Sequence, residues 1–149
     1  MNTEQYKKEI QRTWQTDGLT DREQICNATL GLVGEANEFC IRRDSDELGD
    51  VYFYAYTLRR LLGGPFPLKD IPCFPYLWAG AGDVAEAVKK HLFHGTNSDA
   101  ARAALEVMIL SMNKESHEAE ETPEEIMADN IEKLRRRYPE GFVMGGGKR

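Results

Sequence analysis

Residues 20–62 read TDREQICNATLGLVGEANEFCIRRDSDELGDVYFYAYTLRRLL, and this stretch spells two helices joined by a tight turn. Thr20 and Glu23 form a capping box, in which the Thr side chain accepts from a free amide and the Glu reaches back to the cap. Apolar residues Ile25, Ala28, Leu32 and Phe39 then recur at three- and four-residue steps, which predicts a long helix to about Arg43. Asp44-Ser45-Asp46 is a turn and also the cap of the next helix, from about Asp46 to Leu62. Gly63-Gly64-Pro65 is a strong stop. Val51 to Tyr56 holds β-forming residues, but it sits inside a helical pattern and reads as helix.

The rest of the chain is punctuated in the same way. Thr3 can cap a short first helix to about Trp14, broken by Asp17-Gly18. Residues 63–75 hold four of the six prolines, marking a linker or irregular crossover with room for one helical turn. A fourth helix is predicted from about Tyr76 to Phe93, ending at His94-Gly95. Ser98 can cap a fifth, reaching about Ser116. Thr122-Pro123-Glu124-Glu125 is another capping box, with Pro at the first helical position, and opens a sixth helix to about Arg137. The Gly-rich end, 145–149, reads as a mobile tail. No segment shows strand alternation backed by turn chemistry, so the expected fold is an all-α bundle of about six helices in one domain, 1–149.

Composition bounds the function. The chain has 149 residues and is 41% hydrophobic, enough for a real core. Its 30% charged residues and mean hydropathy of −0.56 suggest a soluble protein. No apolar run reaches the roughly 18 residues of a membrane span, and MNTEQYKKEI is not a signal peptide, so a cytoplasmic protein without a membrane partner is expected. Cys26, Cys40 and Cys73 lack a C-x-x-C spacing, which argues for reduced, mostly buried thiols over a zinc site or disulfide framework. A net charge of −6 argues against nucleic acid as a partner but leaves room for a small anionic ligand. Basic clusters occur at Lys89-Lys90-His91 and Arg135-Arg136-Arg137.

Two stretches resemble each other. Gly34-Glu-Ala-Asn-Glu38 is matched by Gly82-Asp-Val-Ala-Glu86, each followed by a turn and another helix. The pairing suggests pseudo-repeats at about 20–62 and 75–118, two helix hairpins around a four-helix core, followed by a C-terminal helix at about 123–137. The competing explanation is chance likeness between two amphipathic helices.

The acids of the first hairpin carry the chemistry. Glu35 and Glu38 are three apart on one helix, and Glu47 and Asp50 are three apart on the next. The turn between them brings the two pairs to similar depth, so four carboxylates are expected to converge. Like charges so placed repel and raise one another's pKa. A hard divalent cation such as Mg²⁺ relieves this, because it takes oxygen ligands and keeps waters for substrate phosphates. Leu32, Val33, Val51 and Phe53 flank the acids, and Gly34 and Gly49 are small enough for helices to approach. The bland alternative is a solvated acidic face.

Leu30-Gly-Leu-Val-Gly-Glu-Ala-Asn-Glu38 with Glu47-Leu-Gly-Asp-Val51 resembles the E-x-x-E … E-x-x-D pattern of MazG-like nucleotide pyrophosphohydrolases. Lys89-Lys-His-Leu-Phe-His-Gly95 is similar to a segment common in that family, and Asn130 to Phe142 resembles its closing N-x-x-K-L-x-x-R-Y-P-x-G-F helix. This chain has a shorter link between Glu38 and Glu47 than the family pattern, and its basic segment lies in the second repeat. That repeat keeps Asp83 and Glu86 but has no counterpart of Glu47 and Asp50.

The resemblance implies Mg²⁺-dependent hydrolysis of a nucleoside triphosphate to the monophosphate and pyrophosphate, with Mn²⁺ as a possible substitute and a homodimer as a possible assembly. It implies metal ligation and catalysis by Glu35, Glu38, Glu47 and Asp50, with one acid, such as Glu38, taking the water's proton. Lys89, Lys90, Lys133 and Arg137 are candidates for the phosphates, Tyr54 for sugar or base, Asn130 for a substrate hydrogen bond nearby, and Trp14 and Trp78 for stacking. Trp14 and Trp78 can equally be core, and the arginines can simply face the helix dipole. Alternatives are a non-catalytic nucleotide-binding protein, a structural helical adaptor, or a hydrolase of the same superfamily specific for dUTP or a phosphoribosyl nucleotide.

Overall fold

Four side-chain caps start the helices. In the computed structural model, which describes residues 1–14, 16–70 and 75–143, the side chains of Asn2, Thr20, Asp44 and Thr122 accept from the amides of Gln5, Glu23, Glu47 and Glu125 at 2.9, 3.2, 2.9 and 3.2 Å. Each such cap contributes about 1 kcal/mol. They open α1 (Thr3–Thr13), α2 (Asp21–Arg42), α3 (Ser45–Leu61) and α6 (Pro123–Arg137). The first cap is Asn2 in a box with Gln5, one residue before the expected Thr3. The remaining helices, α4 (Leu77–Phe93) and α5 (Asp99–Glu118), begin without a side-chain cap, so Ser98 sits at the expected place without the expected bond. Arg43 closes α2 in the left-handed region at φ +59°, and Gly63 and Gly64 follow α3 at φ +104° and +95°.

The described residues form an all-α bundle of six helices with no strand. Helix α2 packs on α3 and on α4, and α5 packs on α4 and on α3. Two hairpins thus make a four-helix square. Tyr52 Oη donates to Asn113 Oδ1 at 2.7 Å, and Arg59 Nε to Glu106 Oε1 at 2.7 Å. The residue numbers rise on α3 as they fall on α5, so these helices are antiparallel. It follows that α2 and α4 are antiparallel too.

Helix α3 is central because α1 and α6 cover its remaining side. Tyr52, Val51, Ala55 and Leu58 are fully buried there, beside Tyr6, Leu32, Leu105 and Ile126 from four other helices. The outer face of α2 and α4 has no such cover and exposes Leu30, Ile41, Trp78 and Phe93. Among the described residues no helix is long and apolar enough to cross a membrane. Cys26 and Cys40 are free and half-buried. Cys73, residues 71–74 of the crossover and the expected tail at 145–149 lie outside the described residues.

Candidate metal centre

The hairpin turn brings carboxylate oxygens of Glu35, Glu47 and Asp50 within 4.8 Å of one another. Glu38 is not in this group and is exposed. The cause is helical geometry: a three-residue step leaves two side chains about 60° apart around the axis. Glu35 faces the groove, and Glu38 is turned towards solvent. The expected convergence of four acids is therefore a convergence of three, with Glu38 beside them. Its charge still contributes to the raised pKa of both Glu35 and Glu47.

Burial and mutual repulsion act together on the trio. Desolvation, then the charges of Asp50, Glu38 and Glu47, push Glu35 up to about 7. Burial also raises Glu47, against the ion pair that Arg42 makes with it across the turn. Asp50 is raised by burial as well, although Lys133 and Asn130 oppose the shift.

Helix α6 supplies these opposing groups. Asn130 Nδ2 donates to Asp50 Oδ1 at 2.8 Å, and Lys133 Nζ donates to Asp50 Oδ2 at 2.7 Å. Lys133 also pairs with Asp46 at 3.0 Å. Burial works against the charge on Lys133, but the bonds to Asp50 and Asp46 prevail and raise its pKa. The buried Tyr6 hydroxyl donates to Asn130 Oδ1 at 3.3 Å. A relay from α1 through α6 thus fixes the rotamer of Asp50.

Several candidates take different places from those expected. Asn130 is 3% exposed with both ends of its amide engaged by Tyr6 and Asp50, so it is placed to orient Asp50 instead of facing a substrate. Trp14 is core: its Nε1 donates to Gln24 Oε1 at 3.1 Å, and its ring packs on Phe53 and Tyr54. A ring enclosed in this way offers no face for stacking. Tyr54 is half-buried one turn after Asp50, its ring against Phe53 and against Gly31 of α2. Gly31 is the close-approach glycine of α2; the expected Gly34 has open space around it. Gly49 is indeed tight, but against Asn130 of α6, 3.1 Å from an added Cβ. Of the flanking apolar residues, Leu32, Val51 and Phe53 are buried and Val33 is exposed.

Lys89 and Lys90 are not brought to the acids. Both pair with Glu86 on their own helix, at 2.8 and 3.6 Å. The Arg22 guanidinium lies over the Phe93 ring at 4.1 Å, which sets α4 antiparallel against α2 and puts the two lysines on the order of 15 Å short of Glu35 along the axis. The same register brings the exposed Trp78 level with Glu38. Arg137 lies one turn beyond Lys133 on the same side of α6, exposed.

Arg42, Asp46, Tyr6 and Gly31 were not marked by sequence. Arg42 and Asp46 flank the turn and are findable as charges close to Glu47 and Asp50. Tyr6 carries no such signal, because its partner is 124 positions away.

Three carboxylates, with no nitrogen or sulfur donor in the group, are donors of the type a hard cation takes, so these residues could hold Mg²⁺ or Mn²⁺. Compared with family models, curated proteins and solved structures, the chain matches none.

Proposed function

We propose that this chain is a magnesium-dependent nucleoside triphosphate pyrophosphohydrolase of the MazG-like kind. The observation that carries the proposal is the trio of buried Glu47 with half-buried Glu35 and Asp50, whose oxygens approach within 4.8 Å and whose pKa values are all raised. Arg42 and Lys133 relieve only part of the repulsion in this groove, since all three carboxyls stay raised, and a hard cation can relieve the rest. The motif likeness at residues 30–51 and 130–142 supports the choice of phosphate chemistry over other uses of a metal.

In this proposal Glu35, Glu47 and Asp50 hold the cation. When bound, it neutralises the phosphates and polarises the α-phosphoryl group. Water forms the new O–P bond at the α-phosphorus, and the bridging bond to the β-phosphate breaks. The pyrophosphate leaves with that electron pair. Glu38, adjacent to the trio but outside it, accepts the water's proton. Lys133 and Arg137 balance charge on the leaving group, and Asn130 and Tyr6 keep Asp50 aimed. Trp78, exposed and level with Glu38, is the stacking surface for the base.

The test is a panel of common NTPs and dNTPs with Mg²⁺ or Mn²⁺, reading monophosphate and pyrophosphate. Metal-dependent release that falls in Glu35→Gln and Glu38→Gln is expected. No pyrophosphate from any member of the panel, with either metal, rejects the proposal. The position of Glu38 outside the trio favours one second reading, a nucleotide-binding protein without turnover. That reading predicts metal-dependent nucleotide binding with no product.

A further inference from the structure

A cavity of about 490 Å³ opens between α1 and the end of α3. Its Arg59 lies about 14 Å beyond Asp50 along α3 at the usual helical rise, well away from the acidic trio. Glu4, Lys7 and Lys8 of α1 and Arg59 and Arg60 of α3 line it, with buried Ile10 and Tyr56 closing its floor and the exposed Pro65 as its apolar rim. In a chain of net charge −6, four cations against the one carboxylate of Glu4 leave this opening locally positive.

Two of the four are already balanced. Lys7 pairs with Glu4 at 2.6 Å, and Arg59 with Glu106 at 2.7 Å. Lys8 and Arg60 are exposed and have no ion-pair partner among the described residues. Glu4 is held below its ordinary carboxylate range by Lys7 first, and then by Lys8 and Arg59, so these cations share one space.

The helix dipole accounts for only part of this. Arg59 and Arg60 lie in the last turn of α3, where cations are favoured. The carbonyls there already accept from Gly63 and Gly64 at 3.1 and 2.8 Å. Lys7 and Lys8 lie in the middle of α1 and have no helix end to neutralise.

The opening is also fixed in shape. Glu106, which grips Arg59, accepts from the Phe66 amide at 3.2 Å, and Arg102 donates to the Pro65 carbonyl at 2.9 Å. The segment following α3 is thereby tied to α5. Tyr56 is buried, and the Arg59 guanidinium stands 5.6 Å from its ring centroid. The volume falls in the range of small-ligand sites, about 300–1,000 Å³.

We propose that this cavity is a second ligand site, taking a nucleoside phosphate whose phosphates meet Lys8 and Arg60 and whose base or sugar lies against the exposed Pro65 ring, over a floor closed by Ile10 and Tyr56. The site does not depend on the metal centre.

The test is calorimetric titration with ADP, and separately with inorganic pyrophosphate, in excess EDTA so that the acidic trio holds no cation. One equivalent of ADP is expected to bind, at least threefold tighter than pyrophosphate. The double variant Lys8→Ala/Arg60→Ala is expected to weaken ADP at least tenfold, and Glu35→Gln is expected to leave it within twofold. Both altered side chains are exposed, so an unchanged melting temperature verifies folding, and Arg60→Glu serves as an independent variant. No ADP binding in EDTA overturns the proposal, as does weakening by Glu35→Gln but not by Lys8→Ala/Arg60→Ala. Pyrophosphate binding as tightly as ADP overturns the nucleoside assignment. Pyrophosphate release by Lys8→Ala/Arg60→Ala reports on the metal centre separately, so the two proposals fail independently.

Discussion

The α2–α3 and α4–α5 hairpins begin from similar sequence and end with opposite electrostatics. In the first, Glu35, Glu47 and Asp50 crowd together and all three shift upward in pKa. In the second, Asp83 and Glu86 remain exposed, and Lys89 holds the Glu86 carboxyl below its ordinary range. Glu106 of α5 is absorbed into a structural clamp on Arg59 and the Phe66 amide. The difference lies in what covers each hairpin. Helices α1 and α6 lie over α3 and desolvate Asp50, whereas α4, which carries Asp83 and Glu86, packs only on α2 and α5 among the described residues. Acids on a helix become a strongly coupled group only when a third layer removes water from them.

The largest expected effect tests that contrast directly. If the proposed activity holds, Glu35→Gln lowers Mg²⁺-dependent pyrophosphate release by at least about 100-fold, the scale of removing a positioned catalytic charge. Asp83→Asn and Glu86→Gln leave it within about twofold. Equal losses in both hairpins would erase the distinction. Next in size, Asn130→Ala strips one bond from Asp50 and leaves the buried Tyr6 hydroxyl without its acceptor. Urea unfolding is expected to register a loss of about 2–3 kcal/mol, with a drop in Mg²⁺ affinity because Asp50 loses its fixed rotamer.

Gly31→Ala comes third. An added methyl collides with the Tyr54 ring, and overpacking of this kind costs about 1–3 kcal/mol. A melting temperature equal to wild type would show that α2 and α3 can separate without penalty.

The pH dependence is smaller. The Glu35 carboxyl titrates near 7 when folded against its ordinary 4.5, so the folded chain favours the protonated form. No penalty exists below about 4.5; it grows as pH rises and is complete above about 7. Metal-free stability should therefore fall across that window by on the order of 1 kcal/mol, after allowance for partial exposure. Glu35→Gln should flatten that slope, and Mg²⁺ should bind more tightly as pH approaches 7. A rising metal-free stability over the same window would contradict the assigned burial. The smallest effect is a gain: Gly34→Ala and Gly82→Ala, both in open helical positions, should each stabilise by about 0.5–1 kcal/mol through helix propensity.

The helices were legible because their signals are local. Thr20 with Glu23 and Thr122 with Glu125 announce their own caps, and Gly63-Gly64 announces a stop. Asn2 was missed in favour of Thr3, a slip of one position between two good capping residues. The acids were legible as a spacing, but spacing alone could not rank Glu35 above Glu38, because the 60° between them matters only once the groove has a direction. Lys89 and Lys90 stood out as a basic cluster, yet the register of α4 on α2 carries them away from the acids. Trp14 was a choice between platform and core that only burial could make.

Local chemistry by itself determined the all-helical class, the places where helices start and stop, and the pairing of acids across one short turn, since caps, breakers and periodicity act within a few residues. Tertiary structure alone decided which three carboxylates meet, that Asn130, Lys133 and Tyr6 stand behind Asp50, and that Gly31 faces Tyr54. Those outcomes depend on how α6 and α1 settle over α3, and contacts between positions 80 and 124 residues apart leave no trace in local pattern.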